Sequence, residues 1–285
     1  MTEKPLISVI IPAHNNKGTI ETAIDSIAKQ TYQNLEIIVI DDNSTDGTRE
    51  KVLSLTEKYK NLSYYSLPFD DPNRYNKRGR NINAGYSSRN FGFEKARGEW
   101  ITFQDADDAS LLNRIETEYE LAQKHGLIHV CADWQKLEPS YLGKKLDTEL
   151  FTTERGLIKT GPEELSALAR KTKGVAYSLS KKLSSIVPFE LKRFPVINHF
   201  FFGSLAPYPG AGNSPLFKRE VLEKVKFRPL SKRVWPTFVG RGADRDFNFQ
   251  VAETFGKSAV FKLPLYMWRV KEQNKGYENC GKYIK

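Results

Sequence analysis

Three short acidic clusters hold the residues of this sequence that are best suited to chemistry. In one of them, Asp105, Asp107 and Asp108 directly follow an apolar run at residues 100–104 that predicts a buried strand. Carboxylates gathered at the end of a strand repel one another unless a counter-charge is present. A hard divalent cation that also carries a substrate's phosphates supplies this charge. The alternative is a polar turn in which Ser110 caps the next helix.

The other two acidic clusters are Asp41-Asp42 and Asp244-Arg245-Asp246. Because ligands of open α/β sheets bind at the carboxyl edge of the strands, we expect all three clusters to share one site. An extended backbone would put Asp244 and Asp246 on one face, whereas a helix would separate them, so the choice between them stays open. The sequence contains no glycine-rich phosphate loop, which leaves the phosphates of a substrate to a metal ion.

Apolar patterns place these clusters on a fold of alternating strands and helices. Buried strands are predicted at residues 6–11, 35–40, 62–67 and 100–104, and helices after residue 19, around 52–59, over 83–96, from 112 to 122 and over 163–171. This alternation predicts an α/β fold with a mainly parallel central sheet flanked by helices. We expect one continuous domain with two parts, residues 1–115 and 116–285.

Two less regular stretches interrupt the pattern. Residues 70–80 are polar and basic, and they form either a loop near the strand edge or a solvated insertion. Residues 139–209 are rich in aromatic side chains and form either an insertion that binds an acceptor or a second core.

Composition restricts the class of protein further. The chain has 285 residues and a net charge of +10, which predicts an anionic partner such as a nucleotide, a phospholipid surface or an acidic glycan, although a plain basic surface is the alternative. No recognised nucleic-acid motif is present, so we expect no nucleic acid partner. Without an apolar span or a signal segment, we expect a cytoplasmic protein. Two distant cysteines predict neither a disulfide nor a zinc site, and His125 and His129 are interpreted as a coincidental pair.

Four segments resemble the family 2 glycosyltransferases, which have the GT-A fold with an acceptor-side subdomain. The first strand, ISVIIPAHN, and the following strand and loop, QTYQNLEIIVIDDNSTDGT, begin at residues 7 and 30. SRNFG and ARGEWITFQDADD begin at residues 88 and 96 and end in the family's Asp-x-Asp motif. GNSPLFKR and GADRDF begin at residues 212 and 242 and resemble the acceptor-side half. The resemblance covers most of the chain outside residues 70–80 and 139–209.

The resemblance implies a role for each matching residue. Pro12 and His14 would flank the base of a nucleotide-sugar donor, Asn15 would also bind the donor, and Asp42 would accept a hydrogen bond from the base. Arg89 would lie near the base or the diphosphate. Asp105 would reach the ribose or a metal-bound water, Asp107 would ligate Mn²⁺ or Mg²⁺ with Asp108 in support, and Asp244 would be the general base. The implied reaction is inverting transfer of one sugar, most simply from a UDP-sugar, to a glycan, glycolipid or glycoprotein, with peripheral association at an anionic membrane as a further hypothesis.

Two departures from the family pattern qualify these roles. Ala243 stands where the family commonly has a glutamate, and the Gln-x-x-Arg-Trp pattern of processive synthases is missing, which favours a single transfer over polymerisation. The alternatives are a sugar-nucleotide-binding protein without catalysis, for which Ala243 is the sole support, and a nucleotidyltransferase of related architecture.

Overall fold

The structure is a computed structural model that describes residues 3–71, 74, 85–173, 186–188, 191, 194, 196–197, 207–229, 232–235, 242–270 and 280–285. Strands among these residues are β1 Ile7–Ala13, β2 Leu35–Asp41, β3 Leu62–Ser66, β4 Trp100–Phe103, β5 Ala109–Ser110, β6 His129–Lys136, β7 Ile158–Thr160, β8 Leu216–Lys218 and β9 Ser258–Trp268. Helices are α1 Ile20–Ala28, α2 Thr48–Lys58, α3 Tyr86–Lys95, α4 Arg114–Lys124, α5 Thr148–Arg155, α6 Pro162–Lys171 and α7 Ala243–Phe255. None of the helices in these ranges combines the length and the apolar character needed to cross a bilayer.

One sheet holds all the described strands in the order β3-β2-β1-β4-β8-β6-β9-β5, with β7 on β9. Strands β1 to β4 run parallel, β8 is antiparallel to β4 and to β6, and β6 and β9 run parallel to each other. Six strands therefore point the same way, and the predicted α/β fold with a mainly parallel sheet is confirmed. Parallel neighbours bring the carboxyl ends of β1, β2 and β4 to one edge of the sheet.

Helices cover both faces of the sheet, which explains the continuous apolar runs of its central strands. In β1, Val9 packs with α1 and α2 residues in one buried cluster, whereas Ile10 packs on the opposite face with α3 and α7 residues. The second cluster contains five phenylalanine rings, Phe93, Phe103, Phe217, Phe227 and Phe247, with centroid distances of 4.4 to 6.3 Å. This aromatic layer lies directly behind the carboxyl end of β4 and gives that edge a stiff support.

Several element boundaries differ from the sequence prediction. The helix predicted over 83–96 is described from Tyr86 to Lys95, and residues 83 and 84 lie outside the described ranges. The alternative role of Ser110 as a helix cap is wrong, since Ser110 belongs to β5 and its hydroxyl donates to Gln104 Oε1 at 2.7 Å. Most of the polar stretch 70–80 and the aromatic residues 189 and 200–202 also lie outside the described ranges.

Candidate active site

A cavity of about 350 Å³ opens at the carboxyl ends of β1, β2 and β4. It is lined by Pro12, Ala13, His14, Asn16, Asp42, Gly85, Ser88, Arg89, Asp105, Ala106, Asp107, Gly242 and Asp244. Each of the three acidic clusters thus contributes at least one carboxylate to the lining. Asp42 and Asp105 follow β2 and β4 as expected, whereas Asp244 lies in the first turn of α7. Most residues that the resemblance singles out lie in this lining, and Asn15 and Asp108 do not.

Two helices direct their amino termini at this cavity. Gly85 precedes α3 with φ +67°, and Gly242 precedes α7 with φ +95°, which is left-handed backbone that favours glycine. A Cβ atom on Gly85 would lie 3.2 Å from Pro12 Cβ, so the close approach of α3 to β1 also requires a small residue. Unpaired N–H groups at a helix start attract anions, and two such ends at one cavity suit a phosphorylated ligand.

The inner end of the cavity is built on Asp42, which is 4% exposed. Arg74 donates to both of its carboxylate oxygens, from Nε at 3.0 Å and from Nη2 at 2.6 Å. His14 Nδ1 lies 2.6 Å from the Asp42 carbonyl oxygen and therefore carries the proton that it donates there. His14 Nε2 is then the acceptor for the amide of Asn15 at 3.3 Å. A ligand group that forms a hydrogen bond with the Asp42 carboxylate must therefore either share it with Arg74 or displace Arg74 from it.

Asn15 stabilises the loop after β2 rather than the cavity wall. Its backbone has φ +56°, its N–H donates to Ser44 Oγ at 2.9 Å, and its side-chain oxygen accepts from Thr45 N–H at 2.8 Å. The next residue, Asn16, lines the cavity instead. The apolar run of β1 locates this turn, but the sequence does not reveal which of two adjacent asparagines faces the ligand.

Arg89 and Asp105 form the centre of the site. Arg89 is 3% exposed, its guanidinium lies over the rings of Phe103 and Phe227 at 5.4 and 5.5 Å, and its Nη2 donates to Asp105 Oδ1 at 2.6 Å. The side-chain amide of Asn213 donates to Asp105 Oδ2 at 2.8 Å. Both oxygens of Asp105 are thus held in place, and the cation is fixed by the aromatic layer beneath it.

The other two carboxylates of the Asp-x-Asp segment have different environments. Asp107 is exposed at the rim of the cavity, and its backbone carbonyl accepts from Arg269 Nε at 2.7 Å. Asp108 is 1% exposed and accepts from Tyr266 Oη at 2.7 Å and from Arg269 N–H at 2.8 Å. Asp108 therefore ties this loop to the end of β9. Burial raises the pKa of Asp108 and of Asp105, and repulsion from Asp107 adds to both shifts.

The first turn of α7 separates Asp244 from Asp246. Asp244 is 36% exposed, faces the cavity, and has its Oδ1 3.9 Å from Arg89 Nη1. Asp246 is fully buried on the other side, where its carboxylate accepts two hydrogen bonds from Arg228 and the backbone N–H groups of Val234 and Trp235. The helical alternative of the sequence analysis is the one observed, and the structure brings only Asp244 to the cavity.

A buried histidine supports this wall from behind. His129 Nε2 lies 2.7 Å from Asn248 Oδ1, and Asn248 Nδ2 donates to the carbonyls of Gly212 and Asp244 at 2.7 Å each. Burial lowers the pKa of His129 to about 4, so the ring is neutral at physiological pH. The ring of His125 lies 5.7 Å from that of Phe261. Asn248 and Asn213 were not predicted as site residues, because single amides in a helix and a loop carry no sequence signal.

The donor chemistry of the cavity fits a hard divalent cation. Asp105, Asp107 and Asp244 line it with Arg89 as the cation among them, so negative charge is in excess. Among the described residues no group of three or more His, Cys, Asp or Glu side chains is arranged to hold a metal ion. Asp107 is exposed at the rim, whereas both oxygens of Asp105 and of Asp108 accept hydrogen bonds.

The mainly parallel α/β sheet and its carboxylate-rich edge fit the GT-A fold of glycosyltransferases. The particular family follows from its sequence, because the model of glycosyl transferase family 2 matches residues 8–172. The chain belongs to this family, which confirms the resemblance found in its motifs. An uncharacterized glycosyltransferase of Haemophilus influenzae is 34% identical over 268 residues, which cover 94% of this chain and 90% of that protein.

Two further comparisons concern characterised proteins. The Escherichia coli enzyme WfgD, a UDP-Glc:α-D-GlcNAc-diphosphoundecaprenol β-1,3-glucosyltransferase, is 29% identical over 168 residues, 59% of this chain and 61% of that protein. The mannosyltransferase PcManGT of Pyrobaculum calidifontis, solved with GDP-Man and Mn²⁺, superposes with a TM-score of 0.55 over 96% of this chain and 59% of its own, at 18% identity. The latter comparison confirms the GT-A fold.

Proposed function

We propose that the protein transfers one hexosyl residue from a UDP-sugar to a hydroxyl group of a lipid-linked glycan, with inversion at the anomeric carbon. The observation that carries the proposal is the position of the Asp244 carboxylate, which lines the same cavity as Asp105 and has its Oδ1 3.9 Å from Arg89 Nη1. The UDP-sugar and the lipid-linked acceptor are supported by WfgD, a relative whose name gives a UDP-glucose donor and a diphosphoundecaprenol-linked acceptor.

The inner part of the cavity suits the nucleotide of the donor. Asp42 and His14, close to Pro12, offer an acceptor, a planar ring and an apolar surface at a buried end, which are the groups that recognise a nucleobase. Arg89 and the starts of α3 and α7 supply positive charge toward the middle of the cavity, where the diphosphate would lie. This arrangement orients the donor with its sugar toward Asp244.

Asp244 then acts as the general base. It takes the proton of the acceptor hydroxyl as that oxygen attacks the anomeric carbon, and the bond from this carbon to the diphosphate oxygen breaks. The electron pair of that bond leaves with UDP, and Arg89 stabilises its growing negative charge. Attack from the face opposite to the leaving diphosphate inverts the configuration.

Asp107, with Asp105 nearby, would hold Mn²⁺ or Mg²⁺ together with the phosphates of the donor. When bound, such an ion supplies additional stabilisation of the charge that develops on the leaving diphosphate. The excess of carboxylates in the cavity supports this proposal.

The test compares Asp244→Asn with Glu253→Gln, a change of another carboxylate on the same helix that lies outside the cavity. Calorimetry with UDP and transfer assays with UDP-glucose and a synthetic diphosphate-linked GlcNAc lipid are run on both variants. We expect Asp244→Asn to bind UDP normally and to lose transfer by roughly 10²–10⁴-fold. Binding of UDP by the wild type with no turnover of any UDP-sugar would support a protein that binds without catalysis, and release of pyrophosphate would support a nucleotidyltransferase.

The net charge of +10 supports peripheral association with an anionic membrane, where a lipid-linked acceptor would reside. Co-sedimentation with vesicles of phosphatidylglycerol and phosphatidylcholine tests this at increasing salt. We expect binding at low salt that weakens as salt screens the charges. Absence of binding at low salt would contradict this part of the proposal.

A further inference from the structure

A second cavity of about 300 Å³ adjoins the first and shares Asp105 and Asp244 with it. Its opposite wall is formed by Trp134 and Trp268, two indole rings whose centroids are 5.2 Å apart in an edge-to-face arrangement. Trp268 is 38% exposed, and this is a large apolar surface to leave beside two carboxylates. Pro12, His14 and Asp42, which line the first cavity, do not line this one.

The strand geometry explains how both indoles reach this cavity. Tyr266 and Trp268 are two residues apart on β9 and therefore point to the same face, and Trp134 pairs with Tyr266 across the parallel strands. The register of β6 shifts on both sides of Asp133, directly before Trp134. Bulges of this kind redirect side chains next to functional sites. Tyr266 closes the floor and is fixed by its hydrogen bond to Asp108.

The loop opposite the indoles is held rigidly. A Cβ atom on Gly210 would lie 2.5 Å from Val260 Cγ1, so this loop packs directly on the sheet. Gly212 O accepts from Asn248, and the Asn213 side chain donates to Asp105. The cavity therefore has fixed walls, with aromatic surface on one side and carboxylates on the other.

We propose that this cavity is the acceptor subsite and that it binds a neutral hexopyranose with equatorial hydroxyl groups, an inference that rests on the proposed function. The C–H groups on the face of such a ring pack on the indoles of Trp268 and Trp134, which removes apolar surface from water. A ring stacked there presents its edge hydroxyls to Asp244, the general base. The carboxylates of Asp105 and Asp244 repel a carboxylate carried on the ring, so the subsite selects against a uronic acid.

Saturation-transfer NMR on the wild-type protein tests the chemical class. The probes are methyl β-D-glucopyranoside and methyl β-D-glucuronide, each in the presence of saturating UDP and Mn²⁺. We expect saturation of the ring protons of the glucoside and an affinity for the glucuronide that is lower by at least about tenfold. Equal binding of the two sugars, or binding of the glucuronide alone, would overturn the proposal.

Variants then locate the binding surface. Trp268→Ala is expected to raise the Kd for the glucoside by at least about tenfold, and Trp268→Phe, which keeps an aromatic face, by less. Tyr65→Ala is the matched control, because Tyr65 is another exposed aromatic residue at the end of a sheet strand and lies outside both cavities. The Kd for UDP is measured on every variant.

The outcomes separate this inference from the proposed function. A wild type that transfers sugar, together with a Trp268→Ala variant that keeps full affinity for the glucoside, would refute the subsite and leave the proposed function intact. A wild type that binds the glucoside at Trp268 but neither binds UDP nor uses any UDP-sugar would refute the proposed function instead. An equal loss of UDP and glucoside affinity in Trp268→Ala would show general damage, and Trp268→Phe then decides. A smaller loss of glucoside affinity in Trp268→Phe, with intact UDP affinity, supports stacking, and a full loss of glucoside affinity contradicts it.

Discussion

Asp246→Asn should damage the stability of the protein rather than its chemistry, although Asp246 is only two residues from the proposed base. Its carboxylate is fully buried and accepts from Arg228 Nε at 2.8 Å, Val234 N–H at 2.7 Å and Trp235 N–H at 3.0 Å. Asparagine keeps one acceptor oxygen, removes the charge and turns an NH₂ group toward donors. The change therefore removes the negative charge that is paired with the Arg228 guanidinium.

The magnitude follows from the burial of the pair. Removing one partner of a buried ion pair costs about 3–5 kcal/mol. The Arg228 side chain is 23% exposed and can regain water, so we expect the lower end, about 3 kcal/mol of unfolding free energy. For a domain of this size that corresponds to a fall in Tm of roughly 6–12 °C.

Thermal unfolding followed by circular dichroism measures this effect. Asp244→Asn serves as the contrast, since Asp244 is 36% exposed and its distance to Arg89 is 3.9 Å, which predicts a change below about 1 kcal/mol. Below its midpoint, Asp246→Asn should retain most of the transfer activity. Two results would reverse the assignment of the two carboxylates. One is an Asp246→Asn variant that has the Tm of the wild type but no activity, and the other is an Asp244→Asn variant that is the destabilised one.

Three further predictions concern the metal, the nucleotide and pH. Asp107→Ala should abolish metal-dependent turnover with little change in Tm, because it removes an exposed ligand; activity that still responds to Mn²⁺ after EDTA treatment would argue against this role. Asp42→Ala should raise the KM for the donor far more than it lowers kcat, as steady-state kinetics will show, since this contact is equal in ground and transition states; a pure kcat effect would point to a chemical role. Burial lowers the pKa of His129 to about 4 in the folded protein. As the pH falls, His129 is therefore protonated in the unfolded chain before it is protonated in the folded one, and stability is lost below the pKa that histidine has in the unfolded chain. The free energy of unfolding in urea should therefore fall between neutral pH and about pH 5, and this fall should be about 2 kcal/mol larger in the wild type than in His129→Gln. An equal fall in the two proteins would refute the buried neutral ring.

The sequence predicts the first half of the chain well because its signals are strong and local. The apolar runs of β1, β2 and β4 are buried on both faces, and such runs have few other interpretations. The acidic clusters at residues 41–42 and 105–108 lie at the ends of β2 and β4, and parallel strands bring their carboxyl ends to one edge, whereas Asp244 lies in the first turn of α7. The positions of Asp42 and Asp105 at the cavity could thus be predicted from the order of residues alone.

The remaining site residues depend on contacts that sequence patterns do not encode. The bond from Arg74 to Asp42 spans 32 positions, and that from Asn213 to Asp105 spans 108. Asp107 and Asp108 are neighbours of the same type, yet Asp107 is exposed and Asp108 buried, because only Asp108 meets the hydroxyl of Tyr266. Two adjacent residues of the same type can be assigned different roles only when their tertiary contacts are known.

The central claim is that Asp244 removes the acceptor proton during direct displacement on a UDP-sugar. Its most direct test is NMR of the product formed from UDP-α-glucose and a diphosphate-linked GlcNAc lipid by the wild type and by Asp244→Asn at equal UDP occupancy. We predict a β-glucoside from the wild type and a rate lower by roughly 10²–10⁴-fold from the variant. An α-linked product, or wild-type transfer by Asp244→Asn, would contradict the account.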